Sequence, residues 1–273
     1  MATIHPTAIL TGDIDLADDV EIGPYCVLEG PVRIGAGTRL LAAVHMLGPV
    51  GLGAGCTLYP GACIGFRGQD VKFKPGDATA GVVIGDGCQL REHVTIHAAT
   101  NAEKPTRLGN RAFMMATSHI AHDVTVGDDV TMVNGVAVGG HAQIGDRVIL
   151  SGLSAVHQFT RIGRMVIVAG LSGMSLDVPP FCLADGFNAL GGLNLIGLRR
   201  AGVDRADISA LRDAYRIALR RRIPRAEALA RLRELGSRSP LVGEMAEFVA
   251  ASTRGICPGS PTRRQGQPRI DAE

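Results

Sequence analysis

Residues 120–144 read IAHDVTVGDDVTMVNGVAVGGHAQI, and an aliphatic side chain occupies every sixth position of this stretch. The same spacing holds from Ile4 to Ile64, from Ile84 to Ile96 and from Leu108 to Met174. A period of six matches neither the 3.6-residue period of a helix nor the two-residue period of an ordinary strand. The sequence therefore predicts a long repeat of short segments that are joined by tight corners.

The residues between the aliphatic positions support one particular repeat. Small or β-branched residues recur four positions after each aliphatic, as at Ala8, Val20 and Cys26. This pattern resembles the hexapeptide β-helix, in which three hexads make one coil and adjacent coils bond about 4.8 Å apart. We predict a mainly β fold, a left-handed parallel β-helix with a C-terminal α-helical domain. The resemblance implies the left hand, an exception to the usual crossover rule that the sequence itself does not show.

The repeat has two interruptions and an end. Residues 66–81 and 97–107 are predicted to project as inserted loops, and Pro179-Pro180 ends the β-helix, which spans residues 1–180. Residues 181–256 are predicted to form an irregular connector and the helical domain. The first of its helices begins after the N-cap Asp204, and two further helices cover about 225–235 and 240–252. The Pro-, Gly- and Arg-rich residues 257–273 are predicted to be a disordered tail.

Composition and the N-terminal sequence indicate the cellular compartment of the protein. The N-terminus has no basic region followed by an apolar run, and no stretch approaches the roughly 18 apolar residues of a spanning helix. The six cysteines form no C-x-x-C pair and show no zinc-ligand spacing. We expect a cytoplasmic protein without a transmembrane segment, with its cysteines as small core residues. We expect no nucleic-acid partner.

Charge is distributed unevenly along the chain. Residues 1–198 carry 12 Lys and Arg against 17 Asp and Glu, for a net charge of −5. Residues 199–233 carry 11 Arg against 4 acidic residues, for a net charge of +7, and include the run Arg220 to Arg222. A basic segment of this kind predicts a surface for an acidic partner.

Histidines cluster on one side of the predicted coil. When the chain is counted in coils of 18 residues, His141 and His157 each fall within one position of His122 on consecutive coils, and His119 lies on the same side. A carboxylate beside an imidazole, as Asp123 is beside His122, suits a general base. The backbone amide of Gly140 is a candidate donor to an oxyanion, because glycine allows close approach.

Other interpretations of these histidines remain open. They are surface residues in one interpretation and ligands of zinc in another. Histidines two coils apart are separated by about 10 Å, too far for one ion with Zn–N bonds of about 2.1 Å, so only a metal site shared between subunits remains. The third interpretation is a cleft that runs along the coil axis and holds a long substrate.

Seven short motifs carry a resemblance to one family. They are HIAHD, GGH, AVHQF, QDVKF, DVPPF, NLIGLRRAG and STRG, and the resemblance around them covers about residues 1–256. Together they resemble the UDP-N-acetylglucosamine O-acyltransferases. The resemblance implies transfer of an (R)-3-hydroxyacyl group from acyl carrier protein to the sugar 3-hydroxyl, the first step of lipid A synthesis. It also implies a homotrimer with active sites between subunits and no metal or bound cofactor.

The resemblance also implies roles for individual residues. His122 is similar to the family's general base, Asp123 to its orienting partner and Gly140 to its oxyanion-binding amide. Gly170 lies where the family sets acyl-chain length, and its small size implies a long chain. The residues similar to the family's substrate-binding positions are Gln69, Asp70, Lys72, His119, His141, His157, Gln158, Asn194 and Arg200.

This chain departs from the family's pattern near the nucleotide site. Ile196 stands where many relatives carry an acidic residue, and Ala201 stands where many carry a second arginine. Three alternatives remain at this point. One is acyl transfer to a UDP-sugar with a 3-amino group, and another is the later N-acyltransferase of the pathway, which usually has an extra N-terminal domain. The third is a hexapeptide zinc enzyme of the γ-carbonic-anhydrase type.

Overall fold

The computed structural model describes residues 1–219 and 223–259 and contains a parallel β-helix. Strands repeat every 18 residues in the regular part, where His119 pairs with Ala137 and Ala137 with Ala155. Each coil donates backbone hydrogen bonds to the next; the Ala121 N–H, for example, donates to the Val138 oxygen over 2.9 Å. The coil predicted from the six-residue period is therefore present.

Three sheets make the walls of the β-helix, and their strands follow in spatial order. The first contains Thr3–Ile4, Glu21–Ile22, Arg39–Leu40, Thr57–Leu58, Gln89–Leu90, Phe113–Met114, Thr131–Met132, Ile149–Leu150, Ile167–Val168, Cys182–Asp185 and Ala189–Leu193. The second contains Ile9–Thr11, Val27–Glu29, His45–Leu47, Cys63–Phe66, Thr95–His97, His119–Ile120, Ala137–Val138, Ala155–Val156 and Gly173–Met174. The third contains Ile14–Leu16, Val32–Ile34, Val50–Leu52, Val82–Ile84, Thr106–Leu108, Thr125–Val126, Gln143–Ile144 and Arg161–Ile162.

The hexad aliphatics fill the interior. From Ile22 to Met174 each of them is at most 4% exposed. Ile4 is 45% exposed, because the first coil has no neighbour on its outer side. Full burial of one such side chain contributes about 1.5–3 kcal/mol to folding, so the stacked column is a rigid support for any site on its outside.

The connector after the coil is more regular than predicted. Cys182–Asp185 extends the first sheet in parallel with Ile167–Val168, beyond Pro180, and pairs antiparallel with Ala189–Leu193. A short helix, α1, follows at Leu195–Arg200. The six-residue period did not predict these elements, because they do not follow the hexad spacing.

The helical domain contains the predicted helices. Helix α2 covers Arg205–Ala214 and continues as a π-helix at Tyr215–Leu219; α3 covers Arg225–Gly236 and α4 covers Pro240–Ala250. The Asp204 side chain caps α2 by accepting from the Asp207 N–H, as predicted. None of the helices formed by the described residues has the length and apolar character of a membrane span.

The chain beyond α4 returns to the β-helix. Cys257 is fully buried, and Gly259 forms a bridge with Leu190. The first three residues of the predicted disordered tail are therefore packed, and residues 260–273 lie outside the described residues. The two inserted loops lie between the strands that end at Phe66 and His97 and those that begin at Val82 and Thr106.

Candidate active site

His122 and Asp123 form a hydrogen-bonded pair at a corner of the β-helix, just after the strand His119–Ile120. The His122 Nδ1 lies 2.8 Å from the Asp123 Oδ2, and the two side chains are 12% and 7% exposed. An ionised carboxylate can only accept, so Nδ1 carries a proton, and in the neutral imidazole the lone pair is on Nε2. The predicted pair is thus in the arrangement that a general base requires.

The shorter inserted loop holds the Asp123 carboxylate. Thr100 donates from its hydroxyl to Oδ2 over 2.6 Å and from its amide to Oδ1 over 3.1 Å, and the Asn101 amide donates over 3.2 Å. Burial raises the pKa of Asp123, but the hydrogen bonds from Thr100 and His122 lower it by more, so this pKa lies below its ordinary value. Thr100 was missed by sequence analysis, since no spacing signals a contact made by loop closure.

His141 lies one coil further along, beside the pair. Its Nε2 is 3.6 Å from the Asp123 Oδ2, and its ring meets the His122 ring edge to face with centroids 5.1 Å apart. Phe159, on the next coil, stacks on His141 at 4.5 Å. Asp123, His141 and Phe159 share the left-handed corner conformation, with φ near +60°, so their side chains form one column. Phe159 was also missed as a packing partner of this site.

Two glycines leave the room that His122 occupies. A Cβ on Gly140 would lie 2.7 Å from the His122 Cε1 and 2.8 Å from its Nε2. A Cβ on Gly68, in the longer inserted loop, would lie 2.8 Å from the His122 Cβ. The imidazole is therefore enclosed by the Gly68 backbone on one side and the Gly140 backbone on the other. Within the described chain, no backbone carbonyl accepts from the Gly140 N–H.

His119 and His97 form a second, more buried pair of imidazoles, with ring centroids 4.7 Å apart. Burial, followed by the charges of His97 and His122, lowers the pKa of His119 to about 4. Burial and His122 also lower the pKa of His97. The Thr95 hydroxyl lies 2.7 Å from the His119 Nδ1. His119 is therefore a neutral hydrogen-bonding group at neutral pH and not a source of positive charge.

Protonation of His119 should make stability depend on pH in a definite direction. The pKa is about 4 in the folded protein and 6.5 in a free histidine, so the unfolded chain binds more protons between these values. We expect the free energy of unfolding to fall as pH is lowered from 6.5 towards 4, by at most about 1.4 kcal/mol per pH unit for this proton. Urea unfolding at several pH values measures how steeply the free energy of unfolding changes with pH, and this slope should be smaller for His119→Gln. Equal slopes at matched protein concentration would contradict this assignment; His97 and Asp123, whose pKa values are also lowered, contribute to the remaining slope with the same sign.

The predicted residues of the longer loop follow Gly68, whose backbone lies against His122. Gln69 and Lys72 are exposed, and Asp70 is half-buried, with its Oδ1 accepting from the Lys72 amide over 2.8 Å. This Asx-type turn shapes the loop without using the Lys72 ammonium group.

Of the residues predicted on later coils, His157 and Gln158 lie on the same side as His122, whereas Gly170 lies at another corner, between the strands Ile167–Val168 and Gly173–Met174. His122, Gly140 and Gln158 occupy the same corner position on three successive coils. His157, just before Gln158, is an exposed side chain. Gly170 lies on the next coil, where a Cβ would approach the Gly152 oxygen to 3.3 Å.

The two predicted nucleotide residues lie on α1. The Asn194 side chain is buried, accepts from the Gly197 N–H over 2.8 Å and donates to the Met165 oxygen over 2.9 Å. It therefore caps the helix and ties it to the coil, a structural task that the motif did not reveal. Arg200 and Ile196 are exposed on the same helix, and Ala201 is its C-cap.

The geometry corrects the exclusion of a metal site within one chain. Ligand atoms of His122, Asp123 and His141 all lie within 4.8 Å of one another. The sequence argument considered histidines two coils apart, whereas His122 and His141 are on adjacent coils with the carboxylate between them. Two imidazoles and a carboxylate suit a transition metal, so metal content must be measured and not inferred from spacing.

The chain is similar to known proteins over almost its whole length. Residues 177–257 match the family model of domain 2 of UDP-N-acetylglucosamine O-acyltransferase. The acyl-[acyl-carrier-protein]–UDP-N-acetylglucosamine O-acyltransferase of Thermodesulfovibrio yellowstonii is 44% identical over 259 residues, which cover 94% of this chain and 100% of that protein. The protein of the same name from Azorhizobium caulinodans is 44% identical over 260 residues, 94% of this chain and 95% of that one.

Solved structures agree with this similarity. The UDP-N-acetylglucosamine acyltransferase of Francisella novicida has a TM-score of 0.91 and 32% identity, covering 95% of both chains. The UDP-N-acetylglucosamine O-acyltransferase of Moraxella catarrhalis has a TM-score of 0.88 and 39% identity, covering 93% of this chain and 99% of that one. The predicted left-handed parallel β-helix with C-terminal helices is confirmed. With relatives this similar over nearly all of its length, the chain belongs to the family of UDP-N-acetylglucosamine O-acyltransferases.

Proposed function

We propose that this protein transfers an (R)-3-hydroxyacyl group from acyl carrier protein to the 3-hydroxyl of UDP-N-acetylglucosamine, in the first step of lipid A biosynthesis. The observation that carries this proposal is the hydrogen-bonded pair of His122 and Asp123, 2.8 Å apart and nearly buried, in a chain of this family. A sugar hydroxyl is a weak nucleophile, so its attack on a thioester requires a base at the hydroxyl.

In the proposed step, the His122 Nε2 takes the proton of the sugar hydroxyl as its oxygen attacks the thioester carbon. The tetrahedral oxyanion that forms accepts a hydrogen bond from the Gly140 N–H. The carbon–sulfur bond then breaks, and the leaving thiolate of the carrier receives the proton from the imidazolium. The Gly140 backbone lies against the Nε2 edge of the imidazole, since a Cβ there would be 2.8 Å from Nε2, and this closeness supports a shared place for the base and the oxyanion donor.

Asp123 supports the base without exchanging a proton itself. Its carboxylate keeps the proton of His122 on Nδ1 and favours the imidazolium that forms during attack. The hydrogen bonds from Thr100 and Asn101 keep the carboxylate ionised and fixed in place. Positioning of this kind contributes to catalysis because the reacting groups need no rearrangement in the transition state.

Substrate binding is proposed along the outside of the coil. Gln69, Asp70 and Lys72 would close over the acyl and sugar groups from the loop that packs on His122. His119, His141, His157 and Gln158 line successive coils, as a long substrate requires. Asn194 and Arg200 are proposed to lie near the nucleotide, with Asn194 acting by fixing the start of α1 through its side chain. Gly170 is proposed to leave room for a long acyl chain.

We also propose a cytoplasmic homotrimer with its active sites between subunits. Leu153, Leu171 and Phe187 are 65%, 79% and 76% exposed on the last coils, and exposed apolar side chains of this size favour a protein interface. The acidic acyl carrier protein is proposed to dock on the Arg-rich segment 199–233. Arg220, Arg221 and Arg222, at the centre of that segment, lie outside the described residues.

A competition assay tests the reaction. The purified protein receives 3-hydroxymyristoyl acyl carrier protein together with UDP-N-acetylglucosamine and its 3-amino analogue, and mass spectrometry identifies the products. We expect the ester. An amide alone would overturn the proposed acceptor, while absence of both products would overturn acyl transfer to these sugars.

A metal control accompanies this assay. We propose that the reaction needs no metal or bound cofactor, so dialysis against a chelator should leave the rate unchanged. Stoichiometric zinc whose removal abolishes the activity would contradict this and would assign His122, Asp123 and His141 to a metal centre.

A further inference from the structure

The C-terminal residues 252–259, here called the C-terminal strap, are held against the last coils by backbone hydrogen bonds. The Asp177 N–H donates to the Gly255 oxygen and the Cys257 N–H donates to the Asp177 oxygen, both over 2.9 Å. The Leu190 N–H donates to the Pro258 oxygen over 2.9 Å. The strap therefore continues the sheet structure, and its hydrogen bonds fix the backbone from which its side chains reach the coil.

The strap brings one charged side chain to the proposed substrate cleft. The Arg254 Nε donates to the Ser175 oxygen over 3.1 Å, and the Arg254 Nη2 lies 3.3 Å from the Nδ1 of His157. These residues are far apart in sequence, and Arg254 belongs to the STRG motif that the proposed mechanism leaves without a task.

The His157 Nδ1 stands between two groups with opposite requirements. The Gln158 carbonyl oxygen, 3.1 Å away, can only accept and would require a proton on Nδ1. The Arg254 guanidinium can only donate and requires a lone pair on Nδ1. A hydrogen bond from a charged donor is roughly twice as strong as one between neutral groups, so the interaction with Arg254 dominates.

We propose that Arg254 is a positioning residue that holds His157 in the neutral tautomer with its proton on Nε2. His157 then offers an N–H donor, and not an acceptor, to the substrate. The strap thus connects the end of the helical domain to the chemical state of a residue in the cleft.

The position of His157 decides which kinetic constant should respond. His157 adjoins Gln158, two coils from His122, which corresponds to about 10 Å along the coil axis. A donor there cannot reach the reacting thioester and instead meets a part of the substrate remote from it. This step rests on the proposed function: UDP-N-acetylglucosamine carries diphosphate and sugar oxygens that accept hydrogen bonds. Loss of the Nε2 donor should therefore raise the KM for the sugar nucleotide about tenfold, with kcat changed less than about threefold.

Two variants of Arg254 separate positioning from simple packing. Arg254→Met keeps an unbranched apolar stem like that of arginine but removes every donor, and Arg254→Lys keeps a permanent donor. Arg164→Met is the matched control, because Arg164 also joins the coil to the helical domain, through Glu244 at 2.7 Å, without contacting His157. We expect the KM for the sugar nucleotide to rise in Arg254→Met, to return most of the way in Arg254→Lys and to stay unchanged in Arg164→Met.

Nuclear magnetic resonance of ¹⁵N-histidine-labelled protein measures the tautomer directly, with His157→Gln assigning the signal. At a pH above the range in which histidines titrate, the unmodified protein should show His157 protonated on Nε2, and Arg254→Met should move the proton to Nδ1, facing Gln158. An unchanged tautomer in Arg254→Met would overturn the inference, whatever the kinetics. If the unmodified protein made no ester, the proposed function would fail while the tautomer measurement still judged the role of Arg254.

Discussion

Replacing His122 with alanine should lower kcat by about 10³- to 10⁴-fold, while the protein keeps its fold and its oligomeric mass. General-base catalysis by a positioned side chain contributes about 10²- to 10⁴-fold, and the hydrogen bond to Asp123 places this imidazole at the upper end of that range. The side chain is 12% exposed and lies outside the aliphatic column, so its removal leaves the core intact. Initial rates with saturating donor and acceptor, measured by mass spectrometry of the ester, check this prediction.

A second histidine provides the control for this experiment. The side chain of His5, at the exposed N-terminal end of the β-helix, bonds only to Thr7 among the described residues, and His5→Ala should retain full activity. Light scattering and thermal unfolding of both variants show whether assembly and stability are preserved. If folded His122→Ala kept a tenth or more of the original rate, the role of His122 as the base would be wrong.

Much of the fold was predictable because one spacing recurs along most of the chain. An aliphatic residue every sixth position identifies the inward side chains, and the observed burial of Ile22 to Met174 confirms each of them. Local signals also predicted the start of α2 after Asp204 and the end of α3 near residue 235. The antiparallel strands and α1 in residues 181–202 escaped prediction, since their pairing depends on contacts with the finished coil and not on a repeat.

The candidate site divides in the same way. Counting in coils of 18 placed His122, His141 and His157 on one side, as observed, because a rigid coil converts sequence spacing into distance. Sequence spacing does not give the distance between the coil and a loop or the C-terminal strap, so the contacts of Thr100 and Arg254 were not predicted. The buried position of Asn194 was missed for a related reason: a motif identifies a residue type but not the direction of its side chain.

Gly140→Ala should lower kcat by about 10²-fold although it keeps the backbone amide that is proposed to bind the oxyanion. The new Cβ would lie 2.7 Å from the His122 Cε1, closer than real Cβ atoms approach other atoms, so the imidazole must move. A displacement of about 1 Å at a catalytic group costs on the order of 10²-fold in rate. The imidazole is the end of a side chain, so it can swing aside without unfolding the coil. We therefore expect a folded protein in which the 2.8 Å contact of His122 with Asp123, or the access to Nε2, is lost.

Gly51→Ala is the matched control for this substitution, because it adds the same methyl group to the strand Val50–Leu52, where the nearest atom is the Val83 Cγ2 at an ordinary 3.9 Å. It should leave both kcat and the unfolding temperature unchanged. A loss of activity in Gly140→Ala with an unfolding temperature close to that of Gly51→Ala would locate the damage at the imidazole and not in the coil. Gly140→Ala with a kcat within threefold of the original would mean that His122 tolerates displacement. The close fit of the Gly140 backbone against the imidazole would then have no catalytic role.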